Sequence, residues 1–269
     1  MANYFAVVGN PVAHSLSPFI HQRFAVQTGR QLSYVKLQVE EKEFEAKVGD
    51  FFASEGRGLN ITLPFKQRAF AMAQVQTPRC RRAGAANTLW MENEQLHADN
   101  TDGVGLIRDL SHHLALEDKK VLIIGAGGAA RGIIAPLLAA DIAQLTITNR
   151  TMSKAEALQA DFKQVNCCRL ANLQGSFDLI INATSMSLKD KMMELPSSLI
   201  HPAAYCYDLA YSAQGTTAFV DWARQQGCHG IDGLGMLVEQ AAEAFFIWHG
   251  VMPDTHAVLA ELRARQSRF

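Results

Sequence analysis

Apolar residues along this chain come in short runs separated by stretches with helical spacing, and the alternation continues from one end to the other. Residues 4–9 read as a buried strand and Pro18 to Thr28 as a helix. Leu32 to Val39 reads as a second strand, followed by a charged helix from about Glu41 to Ala53. Leu59 to Leu63 reads as a third strand, and residues 86–98 have the pattern of a hairpin turning near Glu92-Asn93. Residues 103–116 have the spacing of a helix, and strands follow at 121–124, 145–148, 177–184 and 204–211. From Leu237 to about Gly250 the chain is strongly apolar and helical, and is expected to pack back on the N-terminal half. This order predicts an α/β fold in which parallel sheets are covered by helices.

The most specific stretch is Val121 to Ile133, where four apolar residues run into Gly125-Ala126-Gly127-Gly128-Ala129-Ala130 and then a helical pattern. A strand, a glycine turn and a helix N-terminus in that order suit a dinucleotide pyrophosphate. Gly125 permits the tight turn, Gly127 lets backbone N–H groups approach phosphate, and Ala130 allows close packing of helix on strand. The next strand ends at Asn149-Arg150-Thr151, with Lys154 close behind. An NAD site usually places an acid at that strand end, whereas a guanidinium binds a 2′-phosphate and stacks on adenine. The expected cofactor is therefore NADP.

Length and composition narrow the class. At 269 residues the chain exceeds the usual single-domain size, and two domains are expected. The boundaries fall at 1–102, completed by C-terminal helices over 237–269, and at 103–236 for a Rossmann-type, doubly wound NADP-binding domain. A net charge of −1 without a basic run argues against a nucleic-acid partner. No apolar run is long enough to span a bilayer, and no signal pattern opens the chain. Five cysteines without a C-x-x-C pair fit reduced thiols in a cytoplasmic protein. His112, His113, His201, His229, His249 and His256 show no metal-ligand spacing and read as surface or helix residues, so no metal is expected. Met252 and Trp248 read as core.

Four polar clusters in the first hundred residues stand out. His14-Ser15-Leu16-Ser17-Pro18 offers two hydroxyls before a helix, and Ser17 is a natural N-cap with Pro18 at the first helical position. One serine can cap while the other binds a ligand. Residues 60–66 deliver Asn60, Thr62 and Lys66 together after a strand, and residues 83–88 place Asn87 among small residues. Residues 97–103 set Asp99 and Asp102 around Asn100 and Thr101 at the domain junction, where turn chemistry alone could account for them.

In combination these motifs resemble the shikimate dehydrogenase family. The ordered signatures GNPxxHSxSP, NxTxPxK, AGAxNT, DNTDG, GAGGAxR, NRTxxKA, INATS and DGxGMLVxQA run from Gly9 to Ala241. The resemblance implies NADPH-dependent, reversible reduction of 3-dehydroshikimate to shikimate on the route to chorismate and the aromatic amino acids. It implies an N-terminal α/β substrate domain, a small-molecule partner, and a monomer or homodimer. Carried over residue by residue, Lys66 and Asp102 would be the catalytic pair, and Ser15 and Ser17 would bind the substrate carboxylate. Thr62, Asn87, Asp102 and Gln240 would hold ring hydroxyls, and Tyr211 would also reach the substrate. Gly125, Ala126, Gly127, Gly128 and Ala129 would cradle the pyrophosphate. Asn149, Arg150, Thr151 and Lys154 would take the adenosine and 2′-phosphate, and Thr184, Ser185, Leu209, Gly233 and Met236 would line the nicotinamide.

The residue types suit that chemistry independently. A small polyhydroxylated acid needs many oriented hydrogen bonds, and a positioned lysine can protonate the alkoxide that hydride transfer creates. The chain departs from the common pattern at Met186-Ser187, at Ala218 in place of proline and at Ala98 in place of glycine, which bears on the nicotinamide loop more than on the reaction. Two rival readings are a broader quinate/shikimate dehydrogenase using NAD, against which Arg150 speaks, and a non-catalytic NADP sensor, which could dispense with Lys66 and Asp102.

Overall fold

Strand β1 (Asn3–Gly9) organises the first half of the chain because its side chains alternate between two apolar faces. Ala6 and Val8 join Phe44, Phe51, Leu59 and Phe65 in one cluster, while Phe5 and Val7 join Val12, Tyr34 and Trp248 in another. Burial on both faces explains the uninterrupted apolar run. The computed structural model describes residues 3–184, 186, 195–212 and 215–267. It divides into one unit of residues 1–106 with Leu237–Glu261, and another of Ile107–Met236 with the chain from Leu262 onward.

In the first unit, β1 is followed by α1 (Ser17–Thr28), β2 (Leu32–Gln38), α2 (Phe44–Ala53), β3 (Gly56–Ile61), α3 (Lys66–Met72) and β4 (Val75–Gln76). Helix α4 (Pro78–Ala83), strands β5 (Thr88–Glu92) and β6 (Gln95–Asp99), and helix α5 (Asp102–Ser111) come next. The sheet order is β2-β1-β3-β5-β6-β4. Strand β1 pairs in parallel with β2 and β3, but β5 is antiparallel to both β3 and β6. This sheet is therefore mixed rather than parallel. The cause is the hairpin, whose turn falls at Asn93-Glu94, both with positive φ, and which inserts beside β3.

Strand β3 begins at Gly56, ahead of the expected Leu59. A β-carbon at Gly58 would lie 2.4 Å from the ring of Trp248, so the strand carries glycine where that ring packs. The segment from Leu237 supplies that ring and Phe245, which meets Phe24 edge-on at 5.7 Å. Full burial of such a side chain contributes about 1.5–3 kcal/mol.

The second unit runs β7 (Lys120–Ile124), α6 (Gly128–Leu138), β8 (Gln144–Thr148), α7 (Met152–Asp161), β9 (Val165–Cys167), β10 (Leu179–Asn182), β11 (Tyr205–Asp208), α8 (Ala218–Gln225) and β12 (His229–Ile231). Helices α9 (Leu234–His249) and α10 (Thr255–Gln266) complete the chain. Its sheet is parallel throughout in the order β12-β11-β10-β7-β8-β9, a doubly wound arrangement. The winding reverses between β7 and β10, and ligands of such sheets bind at the strand ends there. Gly125 and Thr184 follow those two ends. The last residues group with this unit because Arg263 and Gln266 bond to Asp232 at 2.6 and 2.9 Å.

Candidate active site

Lys66 opens α3 and Asp102 opens α5, and the fold brings their side chains together: Lys66 Nζ lies 2.6 Å from Asp102 Oδ2. The preceding Phe65 is fully buried and stacks on Phe44 at 4.4 Å, which anchors the start of α3. The loop before Asp102 is held by Asp99, whose carboxylate accepts from Thr77 at 2.6 Å, from Arg79 at 2.8 and 2.6 Å, and from the Asn100 N–H at 2.7 Å. Arg79 also pairs with Glu243 at 2.9 Å. The two aspartates of this motif thus divide the work. Asp99 builds the loop, and Asp102 faces the lysine.

Asp102 Oδ1 is engaged as well, accepting from Asn87 Nδ2 at 2.9 Å. The Asn87 amide can point only this way, because its oxygen accepts the Thr101 N–H and the Thr88 hydroxyl, both at 2.9 Å. Its nitrogen also reaches Thr101 Oγ1 at 2.9 Å and Gln240 Oε1 at 3.1 Å. Lys66, Asp102, Asn87 and Gln240 therefore form one connected cluster, nearly closed to solvent, with side-chain exposures of 12% and 6% for the lysine and aspartate. Ion pairs and polar groups so enclosed are strongly oriented. Thr101 belongs to the cluster although its motif draws attention only to the acids beside it.

The serine pair differs from expectation. Helix α1 starts at Ser17, Leu16 stands at the cap position, and no cap side chain bonds the helix. Instead Ser15 Oγ accepts the Ser17 N–H at 3.2 Å and donates to Ser17 Oγ at 3.1 Å. Ser15 takes over the local backbone role, and the Ser17 hydroxyl is left for other partners. Thr62 is half-buried with its methyl against Gly9, where a β-carbon would come within 2.4 Å.

Two buried groups behind these residues are not apparent in sequence. Tyr34 donates to Asn60 Oδ1 at 2.6 Å, and burial pushes its phenol well above the ordinary value. His21 stacks on Tyr34 at 4.4 Å, neither ring nitrogen has a hydrogen-bond partner among the described residues, and burial followed by the charge of His249 lowers its pKa to about 3. Lone polar residues inside an apolar pattern carry no signal that distinguishes them from surface positions.

In the second unit, Gly125 has φ +115°, and a β-carbon there would lie 2.9 Å from the Ala183 carbonyl oxygen. Gly127 caps α6 without a side-chain bond, and a β-carbon there would meet nothing within 4 Å among the described residues. Backbone N–H groups of Gly128 and Ala129 stand in the first turn beside that open face. These features fit a phosphate cradle. Asn149 donates to the Thr151 carbonyl at 2.7 Å, which shapes the turn after β8. Arg150, Thr151 and Lys154 are exposed, and among the described residues no carboxylate pairs with Arg150 or Lys154.

Beyond β10, the Thr184 hydroxyl donates to Asn182 Oδ1 at 2.8 Å, and Asn182 donates to Asp208 Oδ1 at 3.0 Å. Thr217 completes this buried network by donating to Asp208 Oδ2 at 2.7 Å. Of its members, Asn182 and Thr184 lie in the INATS signature, and only Thr184 is given a role from the sequence. Gly233 is required by the chain after β11, since a β-carbon there would lie 2.4 Å from the Leu209 carbonyl oxygen. Met236 is buried, Tyr211 is half-buried in the chain after β11, and Ser185 lies outside the described residues. Met252, expected in the core, is 44% exposed because it sits in the short link between α9 and α10. Among the described residues no helix is long and apolar enough to cross a membrane, and no cluster of His, Cys, Asp or Glu could hold a metal ion.

Comparison with known proteins agrees with this geometry. A family profile described as shikimate dehydrogenase substrate binding domain matches residues 7–89, one for shikimate/quinate 5-dehydrogenase matches 109–203, and one for the shikimate 5′-dehydrogenase C-terminal domain matches 233–263. A protein of Legionella pneumophila named shikimate dehydrogenase (NADP(+)) is 58% identical over 264 residues, covering 98% of this chain and 100% of that protein. The crystal structure of an Ael1 enzyme from Pseudomonas putida superposes with a TM-score of 0.88 at 44% identity, covering 97% and 98% of the two chains. Shikimate 5-dehydrogenase from Thermus thermophilus, in complex with NADP(H) and shikimate, gives a TM-score of 0.88 at 32% identity, covering 98% and 99%.

Proposed function

The chain belongs to the NADP-dependent shikimate dehydrogenase family, oxidoreductases of aromatic biosynthesis that interconvert 3-dehydroshikimate and shikimate, and from that premise we propose how its own residues do so. The observation that carries the reading is the enclosed Lys66–Asp102 pair at 2.6 Å. NADPH, when bound, supplies the hydride to the carbonyl carbon. Lys66 gives a proton to the carbonyl oxygen as negative charge develops there, and becomes a neutral amine that solvent reprotonates. In the oxidative direction the neutral amine takes the proton from the substrate hydroxyl. Asp102 holds the ammonium with one oxygen while Asn87 holds the other, so Nζ stays in one place through the cycle.

Substrate binding is assigned, Tyr211 apart, to the unit that carries Lys66 and Asp102. Ser15 and Ser17 donate to the carboxylate, and Thr62, Asn87, Asp102 and Gln240 hold ring hydroxyls, with Tyr211 as a further substrate ligand. Polar groups already bonded to one another in this way favour a substrate that can replace those bonds, and disfavour an analogue that cannot. Gly125, Ala126, Gly127, Gly128 and Ala129 would hold the pyrophosphate, and Asn149, Arg150, Thr151 and Lys154 the adenosine and its 2′-phosphate. Thr184, Ser185, Leu209, Gly233 and Met236 would lie along the nicotinamide. The open face of Gly127 and the exposed guanidinium of Arg150 support this assignment. Residues 1–106 with 237–261 act as the substrate unit and 107–236 as the NADP unit. A cytoplasmic monomer or homodimer that binds small molecules and not nucleic acid fits the five free thiols and the near-neutral charge.

The test is cofactor reduction by the purified protein with shikimate or quinate, each with NADP and with NAD. Fast turnover with shikimate and NADP, and slow turnover in the other pairings, is expected. Preference for quinate with NAD would overturn the assignment of Arg150 and of the hydroxyl-binding residues.

A further inference from the structure

The carboxylate that ends β11 has no part in the chemistry described above. Asp208 is fully buried, and its Oδ1 accepts from Asn182 Nδ2 at 3.0 Å and from the Ala210 N–H at 3.1 Å. Its Oδ2 accepts from the Thr217 hydroxyl at 2.7 Å. Each donor has a hydrogen to give. Thr217 Oγ1 takes the Val220 N–H at 3.3 Å, which leaves its own hydrogen for Asp208. Asn182 Oδ1 takes the Thr184 N–H at 3.1 Å and the Thr184 hydroxyl at 2.8 Å, so the amide nitrogen is the end turned to Asp208. A buried polar network satisfied in this way holds its members in one orientation.

Two strand ends are tied by this one side chain. Through Asn182, Asp208 holds the turn at Ala183-Thr184 after β10. That turn lies against the glycine turn, since a β-carbon on Gly125 would come 2.9 Å from the Ala183 carbonyl oxygen and 3.3 Å from Thr184 Cγ2. Through the Ala210 N–H it holds the chain at Leu209, whose carbonyl oxygen closely approaches Gly233. The sheet order puts both ends on the side of β7 away from β8, and Asn149 and Arg150 follow β8. The network therefore lies on the side assigned to the nicotinamide, opposite the side assigned to the 2′-phosphate.

We propose that Asp208 is a positioning residue for the nicotinamide end of NADP: it fixes the Thr184 turn through Asn182 and the Leu209 backbone through the Ala210 N–H. The proposal rests on the assignment of Thr184 and Leu209 to the nicotinamide. The test is calorimetric titration of the full chain with NADP and, separately, with adenosine 2′,5′-bisphosphate, which lacks the nicotinamide. Asp208→Ala is expected to raise Kd for NADP about tenfold, the size of one oriented hydrogen bond, and to leave Kd for the bisphosphate within about threefold. Asp208→Asn still offers an oxygen to Asn182 and Ala210, and is expected to recover NADP affinity to within about threefold of wild type. Leu209→Ala is expected to weaken NADP and spare the bisphosphate.

Equal weakening of both ligands in Asp208→Ala would mark the residue as merely structural and overturn the proposal. So would a loss in Asp208→Asn as large as in Asp208→Ala, because charge and not bonding would then be what matters. If Leu209→Ala weakens NADP and Asp208→Ala does not, the positioning role is wrong and the nicotinamide assignment stands. If Leu209→Ala leaves NADP affinity unchanged, that assignment fails and the proposal falls with it. Should Asp208→Ala not fold, Asn182→Ala removes the arm to Thr184, and unchanged NADP affinity in that variant would equally overturn the role.

Discussion

His21 makes the first unit acid-sensitive by an amount that follows from its surroundings. The ring is fully buried among Tyr34, Phe24, Phe245, Trp248 and His249, and its pKa falls from 6.5 to about 3, chiefly through burial. A histidine whose folded pKa is depressed binds its proton more readily in the unfolded chain. Stability is then complete above about pH 6.5, is lost as pH falls through the window from 6.5 to 3, and levels off below it. The slope in that window is about 1.4 kcal/mol per pH unit, so the loss between pH 7 and pH 5 is about 2 kcal/mol from His21 alone. His249, lowered to about 4 by burial and then Arg30, adds a smaller share because it is only half-buried. The perturbation is His21→Leu, close in volume and unable to titrate. Urea unfolding would be followed by tryptophan fluorescence in a Trp222→Phe background, where the signal comes from Trp90 and Trp248 of the first unit. The wild type should lose about 2 kcal/mol more than the variant between pH 7 and pH 5. Equal losses in the two proteins would refute the reasoning, whatever their stabilities at pH 7.

Two other outcomes are expected. Arg150→Ala should raise KM for NADP by about 10- to 100-fold, the worth of a charge-assisted bond to phosphate, while KM for NAD and kcat stay nearly unchanged in initial-rate assays. Arg79→Met should lower stability by about 2–4 kcal/mol in denaturant unfolding, since it leaves the buried Asp99 carboxylate with only neutral partners; the range is reduced because Arg79 is a third exposed.

How much of this is legible in sequence depends on the kind of signal each residue leaves. The central strands β7 and β10 of the parallel sheet are written in uninterrupted apolar runs, and the glycine turn after β7 is fixed by the close approach of Ala183 to Gly125. Strand β3 reads short because Gly56 and Gly58 lack β-propensity, and their reason is the rings of Phe51 and Trp248. Strands β9 and β12, each of three residues, are too brief for a period to show. In the site, Asn87 stands out among small residues and Lys66 and Asp102 within polar clusters, yet Asp99 and Asp102 look alike. The Arg79 fork around Asp99, with Thr77 and the Asn100 N–H, separates that loop builder from Asp102, which faces Lys66. Ser17 carries the pattern of a cap, and the backbone assigns the local bond to Ser15 instead. Tyr34 and His21 sit at positions whose neighbours in sequence are ordinary strand and helix residues, so their contacts depend on tertiary packing alone.

The measurement that bears most directly on the account is the single-turnover rate of NADPH oxidation by 3-dehydroshikimate in Lys66→Ala, made alongside the dissociation constant for shikimate. If Lys66 moves the proton, the rate should fall by about 10²–10⁴-fold while shikimate binding weakens by less than about tenfold. A rate within about tenfold of wild type at saturating substrate would contradict the assignment of Lys66, however well the family and the fold agree.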